Sequence, residues 1–190
     1  MGRLILASAS PRRRELLEQM GVSDFIIRPA PGEIAAGDLP PEEAVQAIAL
    51  AKGQAVAKTA CPGDLILAAD TEVLFDGALL GKPQDAADAG RMLRQLSGER
   101  HRVYTGIALL LDGRVLTGVE ATDVYFRNLT DREIADYVDT GEPMDKAGAY
   151  GIQGRAAHFV RRIEGDVYNV IGLPLCRVAE LSREMGVLIF

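Results

Sequence analysis

Leu65-Ile66-Leu67-Ala68-Ala69-Asp70-Thr71 is the stretch on which the fold turns. Five apolar residues follow one another without alternation, as in a strand covered on both faces, and a carboxylate closes the run. Arg3 to Ala7 (RLILA) is a second run of this kind, and Phe25 to Arg28 a third candidate strand. Helical patterns lie around them. Ser10-Pro11 opens a helix with Ser as N-cap and Pro at its first position, Leu16, Leu17 and Met20 as the apolar face, and Gly21 as the stop. Pro41 to Lys58 forms a second helix, with Ala44, Ile48, Ala51 and Ala55 along one side, and Ala86 to Leu96 a third. Asp76-Gly77, within Leu74 to Leu80, signals a hairpin. Asp112-Gly113 likewise joins strands over Arg102 to Leu111 and Arg114 to Phe126. Thr130 and Glu133 form a capping box for a helix from about Asp131 to Val138. His158 to Ile163 reads as a strand, Leu173 to Met185 as a helix and Val187 to Phe190 as a closing strand. Mixed strands and helices, with hairpins in the second half, predict an α/β fold with a mixed, twisted sheet and flanking helices.

Bulk properties narrow the function. A chain of 190 residues fits one domain, or one domain with two lobes. Lys and Arg number 21 against 27 Asp and Glu, a net charge of −6. That balance disfavours general nucleic-acid binding, which rests on neutralising phosphates. A small anion still binds where a few cations converge. Cys61 and Cys176 lie far apart and outside any CxxC pattern, which argues against a disulfide framework or a zinc site. The N-terminus lacks the order of a signal peptide, and no apolar run reaches the ~18 residues of a membrane span. The expectation is a cytoplasmic protein with no membrane partner.

Several stretches carry chemistry. Ser8-Ala9-Ser10-Pro11-Arg12-Arg13-Arg14 puts three arginines in the first turn of a helix, where the positive end of the dipole makes each unfavourable by up to about 1 kcal/mol. A bound anion reverses that sign. Arg13 lies on the side of Leu16, Leu17 and Met20, with Arg12 next to it, whereas Arg14 lines up with Glu18 towards solvent. Arg12 and Arg13 are therefore the candidate phosphate binders, assisted by the Ser8 and Ser10 hydroxyls; a surface helix with snorkelling arginines fits the pattern about as well. Asp70, at the end of a buried strand, is a candidate proton acceptor or metal ligand, although an isolated Asp more often caps a turn. In Leu80-Gly81-Lys82-Pro83 the Gly and Pro fix the backbone around one lysine, which suits a positioned charge near phosphate. Alone, a solvated lysine in a turn is the better explanation. No GxxxxGK[ST] occurs, so an ordinary P-loop kinase or ATPase is disfavoured.

Gly141 to Gly154 (GEPMDKAGAYGIQG) is the richest segment. Long structured loops are usually functional, and its four glycines permit close approach of backbone to a ligand. Lys146 adds a substrate-binding cation. Gln153 offers a donor and an acceptor that match O4 and N3–H of uracil or thymine, and a flipped amide would serve cytosine. His101 and His158 have no Ser/His/Asp or Cys/His partners and read as structural. Tyr125 and Phe126 read as core.

Together these stretches resemble the Maf family of nucleotide pyrophosphatases. The carriers are SASPRR at 8–13, Glu33, AADT at 68–71, GKP at 81–83, LSG…H…YTG within 96–106, DKAGAYGIQG at 145–154 and GLPL at 172–175. Each is weak alone; the ordered set is specific and runs from the first strand to the last helix. The resemblance implies one domain over 1–190, with two lobes around a cleft, related to the inosine-triphosphate pyrophosphatases. It implies metal-dependent cleavage between the α- and β-phosphates, with Mg²⁺ or Mn²⁺ held near Asp70 and Glu33. The DKAGAYGIQG form resembles the branch acting on dTTP and UTP. Asp70 matches the family's proton acceptor; Arg12, Thr71 and Gln153 match its specificity positions; Glu33, Lys52 and Lys82 match polar residues of its cleft. Glu72 departs from the apolar residue that often follows DT, and a regular strand end is expected to turn it away from Asp70. The resemblance also implies a homodimer. A nucleotide-binding regulator linked to septum formation, working without turnover, is the alternative it leaves, and a nucleotidyltransferase is a second.

Overall fold

Among the described residues, seven strands and six α-helices follow in the order β1 (Leu4–Leu6), α1 (Pro11–Gln19), β2 (Phe25–Ile27), α2 (Pro41–Ala57), β3 (Leu65–Phe75), β4 (Ala78–Leu80), α3 (Ala86–Leu96), β5 (Arg100–Leu111), β6 (Arg114–Phe126), α4 (Asp131–Val138), β7 (Val160–Glu164), α5 (Val167–Ile171) and α6 (Leu175–Met185). They are seen in a computed structural model that describes residues 2–32 and 37–190. The strands form one sheet in the order β2-β1-β3-β5-β6-β7, with β4 paired to β3. β1 runs parallel to β2 and to β3, while the β3–β4 and β6–β7 pairs are antiparallel, so the sheet is mixed as expected. Both hairpin turns form as the sequence indicates. Asp76 and Gly77 have φ of 47° and 77°, and Asp112 and Gly113 have 45° and 83°, the paired positive values that a type I′ turn requires.

The chain divides into two compact units. One comprises residues 1–70, 105–120 and 172–190; the other comprises 71–104 and 121–171. β3, β5 and β6 each contribute residues to both.

In the first unit, Ile5, Ile66, Ala68, Ala108 and Leu110 of the strands, with Ala7 just after β1, pack with Ala49 and Val56 of α2. The helix lies close because glycines admit it. A Cβ on Gly106 would sit 2.2 Å from the Val45 carbonyl oxygen, and one on Gly53 would sit 2.4 Å from Cδ1 of Leu110. In the second unit, Leu93 and Leu96 of α3 and Ile134 and Tyr137 of α4 are buried with Val73, Val124, Phe126, Tyr150 and Phe159. The α4 capping box is complete: the Thr130 hydroxyl accepts from the Glu133 N–H, and Glu133 accepts from the Thr130 N–H.

Four expectations need correction. The strand beginning at Leu65 does not stop at Asp70 but continues to Phe75, paired to β4 over its last three residues. Side chains two positions apart on a strand point the same way, so Glu72 lies on the Asp70 side of β3 rather than away from it. Met20 caps the C-terminus of α1 and is exposed, so Leu16 and Leu17 carry its buried face. Val187 to Phe190 is not a strand, because those residues enter no ladder of the sheet. The five-residue α5 carries no apolar period long enough to be read from sequence. No helix among the described residues is long and apolar enough to cross a membrane. Both cysteines are exposed thiols.

Candidate active site

In the first unit the site is built on two ends of secondary structure. β1 delivers the chain to Ser8, and α1 begins three residues later. Ser10 is the N-cap by position, but its side chain makes no capping bond. Its N–H instead donates to Ser8 Oγ at 3.2 Å, and that oxygen also accepts from Arg13 Nη1 at 3.0 Å. Arg13 Nε donates to the Gly172 carbonyl at 2.7 Å. The arginine is thus fixed from two sides, and the residue is only 9% exposed. Burial lowers its pKa to about 10, partly offset by nearby Asp70, while neighbouring Arg12 lowers it further. It remains a cation at neutral pH. A fixed, desolvated guanidinium keeps its planar fork ready for a phosphate without further ordering. Arg12 is half-buried, and Arg14 pairs with Glu18 one turn on, as its spacing predicts.

Asp70 sits on β3, itself only 9% exposed. Lys52 Nζ of α2 donates to its Oδ1 at 2.6 Å. The close approach of α2 at Gly53 and Gly106 brings that lysine to the strand. Asp70 Oδ2 is buried and makes no hydrogen bond among the described residues. Such an oxygen can take a proton from water or ligate a hard cation. The described residues contain no group of three or more His, Cys, Asp and Glu side chains able to hold a metal. One carboxylate oxygen nevertheless suits Mg²⁺ or Mn²⁺, which commonly combine one or two carboxylates with substrate phosphate oxygens. Glu33, the second expected ligand, lies outside the described residues.

The second unit carries Thr71, Lys82, Lys146 and Gln153. Thr71 is half-buried on β3, and Lys82 is exposed just after β4. Gly81 and the loop are joined directly, since the Gly148 N–H donates to the Gly81 carbonyl at 3.1 Å. The GKP turn and the long loop, read separately from sequence, are therefore one backbone assembly. Gly148 has φ of 68°, and a Cβ there would press on the Val73 side chain at 3.1 Å. Gln153 is exposed.

The expected role of the loop glycines changes. A Cβ on Gly154 would meet Glu142 Oε1 at 2.0 Å, and one on Gly151 would meet Lys146 Cε at 2.5 Å. These two glycines make room for the protein's own side chains rather than for a ligand. Lys146 Nζ donates to the Glu142 carbonyl and to Asp145 Oδ1, each at 2.6 Å, so two of its three donors are engaged within the loop. The Glu142 side chain beside Gly154 left no mark in the sequence beyond a glutamate at the loop's start.

His101 is structural, as expected. It is 2% exposed, and its Nε2 is 2.8 Å from the Tyr150 hydroxyl. Phe126 and Tyr150 meet its ring edge-on. Burial pushes its pKa down to about 4, against a smaller opposing effect of Asp123. Phe126 is core, whereas Tyr125 donates to Glu164 at the surface.

A family model described as "Maf-like protein" matches residues 3–185. A dTTP/UTP pyrophosphatase of Symbiobacterium thermophilum is 50% identical over 190 residues, covering 100% of this chain and 97% of the relative. A dTTP/UTP pyrophosphatase of Moorella thermoacetica is 53% identical over 190 residues, covering 98% and 97%. Among solved structures, a HAM1 protein from Coxiella burnetii aligns over 97% of this chain and 100% of its own, with a TM-score of 0.53 and 16% identity, a likeness of fold alone.

Proposed function

The chain belongs to the family of Maf-like proteins, and from that premise we propose that it hydrolyses dTTP and UTP to the nucleoside monophosphate and pyrophosphate. The observation that carries this reading is the buried Asp70 carboxylate, held at Oδ1 by Lys52 beside the fixed guanidinium of Arg13. The relatives named dTTP/UTP pyrophosphatases, similar over the whole chain, support the substrate class. We place the reaction in the cytoplasm, where nucleoside triphosphates are made.

In this mechanism Arg13 and Arg12 bind the phosphates, and Ser8 keeps Arg13 in place. Lys52 fixes the rotamer of Asp70 through Oδ1. Oδ2 then accepts the proton of a water aimed at the α-phosphorus. The α–β bridging bond breaks and pyrophosphate leaves. Positioning and electrostatic stabilisation supply most of the acceleration in phosphoryl chemistry, which suits a site made of fixed cations and one base. A divalent cation, held by Asp70 with Glu33, would supply charge neutralisation on the phosphates. Lys82, Lys146, Thr71 and Gln153 are assigned to the substrate, Gln153 to the base edge.

Pyrophosphate release from a panel of dTTP, UTP, CTP, ATP and GTP, with Mg²⁺ and with Mn²⁺, tests the reading. Turnover led by dTTP and UTP is expected. Binding of those nucleotides without release of pyrophosphate would replace the enzyme with a nucleotide-sensing regulator. Turnover that needs a second substrate would indicate a nucleotidyltransferase.

A further inference from the structure

The loop that carries Gln153 is fastened at both sides of that residue by one pair of side chains. Glu142 Oε1 accepts from the Tyr137 hydroxyl at 2.9 Å, and the same hydroxyl accepts from the Gly151 N–H at 3.2 Å. Glu142 Oε2 accepts from the Arg155 N–H at 3.1 Å. Gln153 lies midway between these two anchored amides. The carboxylate reaches them because Gly154 has no side chain, as a Cβ there would meet Oε1 at 2.0 Å. The Glu142 backbone is held in turn. Its N–H donates to Thr140 Oγ1 at 3.1 Å, and its carbonyl accepts from Lys146 Nζ at 2.6 Å. Tyr137 is 3% exposed on α4, with its ring edge-on to Phe159, so the clamp is mounted on packed structure. Burial, and then the Glu142 carboxylate, push the phenol pKa upwards, which keeps its proton in place for donation.

We propose that Tyr137 and Glu142 are positioning residues for base recognition: the Glu142–Tyr137 clamp fixes the backbone on both sides of Gln153 and so sets the selectivity for dTTP and UTP without touching the nucleotide. The proposal rests on the reading that Gln153 meets the base. A side-chain amide on a three-bond stem selects between base edges only when its Cα is held, because a displacement of about 1 Å is enough to cost a large factor in rate. Glu142 shares out its two carboxylate oxygens, one per flank, which a neutral amide cannot do, since one of its two polar ends is a donor.

The test measures kcat and KM for dTTP, UTP, CTP and GTP in the wild type, Tyr137→Phe, Glu142→Gln, Gln153→Ala and the double variant Tyr137→Phe/Gln153→Ala. Tyr137→Phe keeps the ring in the core and removes only the hydroxyl. It is expected to lower kcat/KM for dTTP and UTP about tenfold, mainly through KM, with GTP changed by less than about twofold. Glu142→Gln should fall between wild type and Tyr137→Phe. In the Gln153→Ala background the Tyr137→Phe change should have almost no further effect on selectivity, because the two act as one unit. An equal loss on all four nucleotides, or a full additional effect in the double variant, would overturn the proposal while leaving Gln153's role intact. If Gln153→Ala itself leaves selectivity unchanged, base recognition by Gln153 fails and the proposal falls with it. Should Tyr137→Phe fold poorly, Gly154→Ala displaces the carboxylate from the other side and must give the same pattern.

Discussion

In the proposed reaction Asp70 is the base, and its two oxygens stand in different surroundings. Oδ1 is taken by Lys52, and Oδ2 is buried without a hydrogen bond among the described residues. Asp70→Asn keeps the shape and can still meet Lys52 through its carbonyl, but it removes the base. Pyrophosphate release should fall by about 10³-fold or more, within the usual range for a lost general base, while the melting temperature stays near that of wild type. Full activity in that variant would sink the mechanism. The sequence marked Asp70 as a carboxylate closing a buried run, and it placed Arg13 on the buried side of its helix by counting positions from Leu16, Leu17 and Met20, the last of which is exposed. It did not indicate the Ser8 and Gly172 contacts that hold Arg13, because Gly172 is 159 positions away in the chain. Nor did it single out Tyr137 and Glu142, whose roles depend on hydrogen-bond geometry that no local pattern records.

At the scale of elements, α2 and β5 matter most to the Asp70–Lys52 pair, because their contact sets where Lys52 stands. Gly106 meets the helix backbone directly: a Cβ would be 2.2 Å from the Val45 oxygen and 2.6 Å from the Gln46 nitrogen. Neither atom can turn aside, so Gly106→Ala must push the helix off the strand. Urea unfolding should show a loss of about 2 kcal/mol or more, at the upper part of the range for overpacking, and turnover should fall with it as Lys52 leaves Asp70. Gly53→Ala is the contrasting case. Its obstacle is the end of the Leu110 side chain, which can rotate, and alanine is favoured over glycine in a helix by roughly 1 kcal/mol. A variant at Gly53 as damaging as one at Gly106 would refute this account of the contact. Most elements were legible in the sequence where local chemistry is strong. The two Asp-Gly turns, the Thr130 capping box and the bounds of α3 all follow from local rules. The tail at Val187 to Phe190 was not, because an apolar tetrapeptide becomes a strand only if a neighbour offers it a free edge.

For the whole molecule, His101 contributes a pH dependence to stability in mild acid. Its folded pKa of about 4 lies below the ordinary value of 6.5. Between those values the unfolded chain binds a proton at this ring and the folded chain does not. Stability therefore declines as the pH falls from about 6.5 to 4, by a sum on the order of 3 kcal/mol at most, and His101 contributes no further decline below that. Glu133, held down at about 2 mainly by Arg127, acts in a lower window: its contribution is present above about 4.5 and is lost as the pH falls towards 2. His101→Gln can keep the bond to Tyr150 without titrating, so it should flatten the upper window and leave the lower one. Urea titrations followed by tyrosine fluorescence give the measurement, since the chain has no tryptophan and Tyr104, Tyr125, Tyr137, Tyr150 and Tyr168 all belong to the same unit as His101. An unchanged slope between pH 6.5 and 4.5 would show that the ring is not the titrating group. By itself the sequence determined the mixed α/β class, both hairpin turns, the family resemblance and the cationic start of the first helix. All of these are written in local period, turn chemistry or ordered motifs. Only the tertiary structure decided that β3 runs on past Asp70, that Lys52 holds one of its oxygens, and that the loop glycines accommodate Glu142 and Lys146. Those facts depend on ladder pairing and side-chain contacts that form only when the chain packs, which no local period or turn rule records.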